Sequence, residues 1–169
     1  MFDTIAGLPL HPLIVHAAEV LVPGAALVVA LAAVWPLFRR WARFLPLGLA
    51  VVALVLVPIA TQSGEALRER VKETSQVQTH ADMAEGLLPW MFALVLVAAG
   101  LLWWNWNERG ATAPRAPAWV ALGLAVVAVL AATGTTVQAV RIGHSGATAV
   151  WSPVTGSTSQ SPAAESGKD

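Results

Sequence analysis

Four stretches of this chain run without a charged residue: 20–38, 44–64, 86–107 and 116–140, of 19, 21, 22 and 25 residues. Crossing the hydrocarbon core of a bilayer takes about 20 apolar residues in a helix. Backbone polar groups in hydrocarbon must find partners within their own segment, so each run is predicted to be helical. Four runs predict an all-α fold, an integral membrane four-helix bundle with short up-and-down connections. A water-soluble core could not hide this much apolar surface, since 56% of the 169 residues are hydrophobic and only 12% charged. The segment ahead of the first run, MFDTIAG, has no Lys or Arg, and the run is too long for a signal-peptide core. It is therefore expected to be a retained span.

The spans are expected at about 12–38, 44–62, 84–106 and 117–143, within a transmembrane domain of residues 1–151. Pro12 suits the first turn of helix one, where a missing N–H is harmless. Pro23 and Pro58 are expected to bend their helices. FRRWARF (38–44) reads as a tight link, and NERGATAPRAP (107–117) as a loop by its Gly and Pro content. Residues 64–79 are polar and helical in character, with Glu65 and Arg68, and Glu69 and Lys72, at i,i+3 spacing. Residues 152–169 are rich in Ser, Pro and Gly and are expected to be disordered. No fixed short period stands out. Two similar helical hairpins would also produce four spans, but the halves show no shared motif.

Four antiparallel spans bring the start of helix one, the end of helix two, the start of helix three and the end of helix four to one membrane face. That face receives His11, His16, His80 and His144, every histidine in the chain, and all acidic residues except Glu108. Lys and Arg divide equally between the faces, with Arg39, Arg40, Arg43, Arg109 and Arg115 on the other side. The first helix usually dominates orientation. It has Asp3 before it and three arginines after it, which places FRRWAR in the cytoplasm and both termini outside a multi-pass cell membrane protein. Trp35, Trp41, Trp103, Trp104, Trp106 and Trp119 are expected to form an interfacial belt at the arginine end.

Ionisable residues at a membrane span cost free energy unless something pairs with them, which makes the histidine face the candidate site. Imidazole is a common transition-metal ligand and a standard haem ligand. Cysteine is absent, so thiolate-held iron–sulfur clusters, covalent c-type haem and disulfides within the chain are excluded. The leading reading is b-type haem bound for electron transfer, with His16 and His144 as the axial pair and His80 and His11 as substitutes. His11 and His16 stand about 140° apart around one helix, so both cannot face one centre unless His11 leaves it. Glu19 shares a face with His16. It is expected to hydrogen-bond an imidazole N–H or ligate a metal, with Arg141 neutralising Glu19 or meeting a haem propionate and Gln138 beside them. The second reading is a transition-metal ion bound or transported through His11, His16, Glu19, His80 and Asp82. The third is a ligand-free scaffold or partner subunit, in which histidines cap helix ends and Gly64, Gly143 or Gly146 terminate helices. No nucleophile triad, phosphate loop or HExxH pattern is present, so a binding or electron-transfer role is expected rather than catalysis. Partners are the lipid bilayer and a redox protein. A net charge of zero gives nothing for nucleic acid to hold.

LPLHPLIVH (8–16), TQSGEAL (61–67), His80 ahead of LLPW (87–90), and GHSGATAVW (143–151) resemble the bacterial membrane family labelled domain of unknown function 2231. The resemblance covers about residues 7–151. It implies a four-span protein, and the fusion of some related chains to Rieske or cytochrome c-like domains implies redox chemistry. Glu19 departs from the family's pattern, in which that position is usually apolar.

Overall fold

The computed structural model describes residues 4–5, 8–70, 74–108 and 117–157. A two-residue antiparallel ladder, β1 (Thr4–Ile5) against β2 (Leu8–Pro9), precedes the first helix. All other regular structure among the described residues is helical: α1 (Leu10–Val34), α2 (Pro36–Ala42), α3 (Leu45–Arg68), α4 (Ser75–Glu85), α5 (Leu87–Asn107) and α6 (Ala118–Ser157). Four helical stretches are long and apolar enough to cross a membrane: α1, α3, α4 with α5, and α6 to Trp151.

The surface of the bundle is what a bilayer requires. Leu27, Leu96, Leu122 and Leu130 are each more than 60% exposed, a cost in water and none in lipid. The interior is built from small residues. Ala25, Ala26, Ala32, Ala50, Ala53 and Ala128 are at most 1% exposed, so the helix backbones approach closely where apolar collapse gives no drive. Met91, Leu94, Val22 and Val29 fill the remaining space. The helices form a ring in which α1 lies against α3 and α6, and α5 lies against the same two.

The first span ends earlier than the sequence suggests. Pro36 cannot donate to the carbonyl of Ala32, so α1 stops at Val34 and α2 restarts with Pro36 at its head. Arg39 supplies the missing donor, its Nη1 lying 3.3 Å from Ala32 O and 3.5 Å from Ala33 O. Its guanidinium thereby caps the negative end of α1. Burial pulls the Arg39 guanidinium below the ordinary arginine range, and the charge of Glu108 opposes that shift. The link expected at 38–44 is thus largely helical, and Arg43, with φ of 42°, turns the chain into α3.

Two further boundaries differ from expectation. The polar stretch at 64–79 divides between the end of α3 and the start of α4, with Lys72 outside the described residues. Arg68 Nη2 donates to Gln78 Oε1 at 2.7 Å, tying the two helices together across that link. The helix α6 continues to Ser157, six residues into the segment expected to be disordered, and residues 158–169 lie outside the described ones. Trp35, Trp41, Trp103, Trp106 and Trp119 are exposed at the arginine end, as an interfacial belt requires, whereas Trp104 is only 6% exposed and packs inward.

Candidate functional site

The histidine end is built from the first turn of α1, the last turns of α3, the helix α4 and the C-terminal third of α6. His11 stands in the first turn of α1 and turns toward α3. Its Nδ1 lies 3.1 Å from Ser63 Oγ and 3.2 Å from Ala60 O. The Ser63 hydroxyl donates its own proton to Ala60 O at 2.8 Å, so its oxygen is left to accept. A hydroxyl oxygen and a carbonyl oxygen facing Nδ1 require that atom to carry the proton. Neutral His11 therefore presents a bare lone pair at Nε2.

His80 on α4 repeats this arrangement against α6. Its Nδ1 lies 2.9 Å from Ser145 Oγ, and Ser145 donates to Ile142 O at 2.8 Å. With the Ser145 proton on Ile142 O, Nδ1 is the donor and Nε2 is bare. Each ring meets a helix where glycine leaves room. A Cβ on Gly64 would stand 3.0 Å from His11 Cε1, and one on Gly146 would stand 3.1 Å from His80 Cε1. Both rings are half-buried.

The other two histidines are placed differently. His16 is exposed on α1, and its Nδ1 donates to Pro12 O at 2.6 Å, one turn back along its own helix. His144 is exposed on α6, with no hydrogen bond from its ring to a described residue. His11 does not leave the helix, as a shared centre with His16 would need; it lies within α1 and faces α3 while His16 faces outward. Glu19 sets its carboxylate over α6, 3.0 Å from where a Gly143 Cβ would be. It makes no ion pair with Arg141, which is exposed. Gln138 turns to the backbone rather than to a histidine, its Nε2 donating to Met83 O at 2.8 Å across to α4. Asp82 accepts from Gln78 Nε2 at 3.2 Å on the exposed side of α4. Among the described residues no three His, Asp or Glu side chains converge as a metal-binding group. The five residues of the ion reading are therefore spread over the helix ends.

The profile of the family described as "Predicted membrane protein (DUF2231)" matches residues 7–159. The chain belongs to that family. No curated protein and no solved structure matches it.

Seen as a DUF2231 protein, the segments that carry the resemblance are those that build the two imidazole sites. HPLIVH supplies His11, TQSGEAL supplies Ser63 and Gly64, and GHSGATAVW supplies Ser145 and Gly146. The glycines are not helix caps. Gly64, Gly143 and Gly146 lie inside α3 and α6, where they admit a ring, a carboxylate and a ring in turn. Gly86 does stand at a helix boundary, joining α4 to α5. Gly134 admits the indole of Trp90, which draws α5 onto α6. Sequence reasoning missed Ser63 and Ser145 as the residues that set the imidazole tautomers. The signal was present as the same Ser-Gly pair near the end of the second and fourth spans.

Proposed function

We propose that the histidine end binds a redox-active transition-metal centre through Nε2 of His11 and His80, b-type haem first, and passes electrons to a partner protein. The observation that carries this reading is the pair of serine hydroxyls, each bonded to a backbone carbonyl and within reach of an imidazole Nδ1. A ligand imidazole needs its distal nitrogen bare, and its other nitrogen is ordinarily held by a carbonyl or similar acceptor. His11 meets that requirement through the acceptor Ala60 O, and His80 meets it when the Ser145 proton is on Ile142 O. His16 also has a bare Nε2, and it remains the next candidate. Haem iron would supply one-electron exchange between its ferric and ferrous states. The chain's own residues would hold it, set the tautomers and keep the rings oriented on Gly64 and Gly146. The orientation proposed with this function puts the site and both termini on the extracytoplasmic side, by the charges flanking the first span.

Two imidazole lone pairs also suit a bare transition-metal ion, and one preparation separates the two. Protein purified from haem-sufficient cells is expected to show a Soret band that shifts on dithionite reduction, lost in His11→Ala with His80→Ala. Elemental analysis of the same sample reports iron for haem and another metal for an ion. Stoichiometric protein without a Soret band or bound metal would sink both readings. If replacing all four histidines left only a partner complex disturbed, the scaffold reading would take their place.

A further inference from the structure

The two imidazole sites match beyond their hydrogen bonds. A shift of 69 residues carries His11 onto His80, and carries buried Val22, Ala25, Val29 and Ala32 onto buried Met91, Leu94, Ala98 and Leu101. A shift of 82 residues carries Ser63 and Gly64 onto Ser145 and Gly146. The same shift carries Ala60, which accepts the Ser63 proton, onto Ile142, which accepts that of Ser145. Buried Pro46, Ala50 and Ala53 fall on buried Ala128, Ala132 and Thr135. Any two inward helix faces can be laid over each other at some shift, because the face recurs every turn. The weight lies in the histidine and the Ser-Gly pair falling into the same register as the buried face.

The packing obeys the same exchange. Replacing α1 by α5 and α3 by α6 leaves the ring of contacts unchanged, since each of the first pair lies against both of the second. The remaining histidines have no counterparts: the shifts carry His16 onto Glu85 and bring His144 back to Gln62. The cross-contacts differ too, with Glu19 over Gly143 on one side and Trp90 over Gly134 on the other. The heptapeptide LGLAVVA occurs at both 47–53 and 122–128, but two helical turns out of this register, so it reflects like composition. Against the expectation of no motif common to the halves, they share the imidazole, its serine and its glycine.

We infer that the chain is a doubled helical hairpin, each half running from a histidine to a Ser-Gly pair, and that one ligand is held between the halves, with His11 from the first and His80 from the second as equivalent ligands. The inference rests on the proposed function for the claim that these imidazoles ligate, and adds the stoichiometry and the equivalence. Membrane proteins built from parallel repeats place their sites at the repeat interface.

The test is titration of the full-length, ligand-free protein in detergent with haemin and, separately, with Zn²⁺. One equivalent of one probe per chain is expected. With haemin, His11→Ala and His80→Ala are expected to convert a six-coordinate spectrum to the same five-coordinate one. Ser63→Ala and Ser145→Ala, which keep the rings, are expected to weaken binding of the probe equally, by about 10–100-fold, the usual effect of losing a hydrogen bond to a ligand histidine. Two equivalents per chain would overturn the shared site. A loss from one serine variant that exceeds the other by more than about tenfold would overturn the equivalence, while leaving the proposed function standing. Binding of neither probe by the unaltered protein would overturn the function and the inference with it.

Discussion

Replacing Gly64 by alanine sets two effects of similar size against each other. Gly64 lies inside α3, where alanine is favoured over glycine by about 1 kcal/mol. The added Cβ would stand 3.0 Å from His11 Cε1, against ordinary contacts of 3.4 Å or more, so the ring must withdraw by ~0.4 Å. His11 Nδ1 already lies at 3.1 Å from Ser63 Oγ and 3.2 Å from Ala60 O. Withdrawal of that size takes both contacts to about 3.5 Å, where a hydrogen bond is largely lost. The net value of such a bond is about 1 kcal/mol. Gly64→Ala is therefore expected to be close to neutral. Gly123→Ala in α6, where a Cβ meets nothing within 4 Å, should keep the whole gain. The assay is reversible unfolding of both variants in mixed micelles, paired with ¹⁵N spectra of labelled histidine. The expected difference between them is about 1 kcal/mol, with the His11 Nδ1–H signal altered only in Gly64→Ala. Equal stabilisation of the two variants, with the His11 signal unmoved, would refute the packing of the ring on Gly64.

Two other substitutions probe the frame around the site. Gln138→Leu removes the donor to Met83 O and is expected to cost about 1 kcal/mol, seen as faster hydrogen exchange in α4 with α1 and α3 unchanged. Asn105 is 6% exposed, and its Nδ2 has no hydrogen-bond partner among the described residues. Asn105→Leu is therefore expected to raise the unfolding free energy by up to about 1 kcal/mol in the same micelle assay, and a loss of stability would show that the amide has a role.

Much of the candidate site was legible in the chain, but not how its members pair. HPLIVH, TQSGEAL, His80 and GHSGATAVW mark the right helix ends, because polar residues beside apolar spans must gather where water or a partner can reach them. Helix geometry, by which His16 shares a face with Glu19, says how far apart side chains stand around one axis and nothing about the neighbour they meet. The pairs His11–Ser63 and His80–Ser145 join residues 52 and 65 positions apart, a separation that no local pattern encodes. Gly64 and Gly146 read equally well as helix caps until the rings lying on them were located.

The uncharged runs by themselves determined the helical class, the four spans and the gathering of all four histidines at one end. Hydrocarbon permits few alternatives, since a backbone in lipid must bond within its own helix. Only the packing of α1 on α3 and of α4 on α6 decided which imidazoles turn inward, which atom of each carries the proton, and that the two arrangements repeat. Those outcomes depend on the rotation of each helix about its axis. In an alanine-lined interior, that rotation is set by the close contacts a glycine admits in one helix and a ring makes from the next.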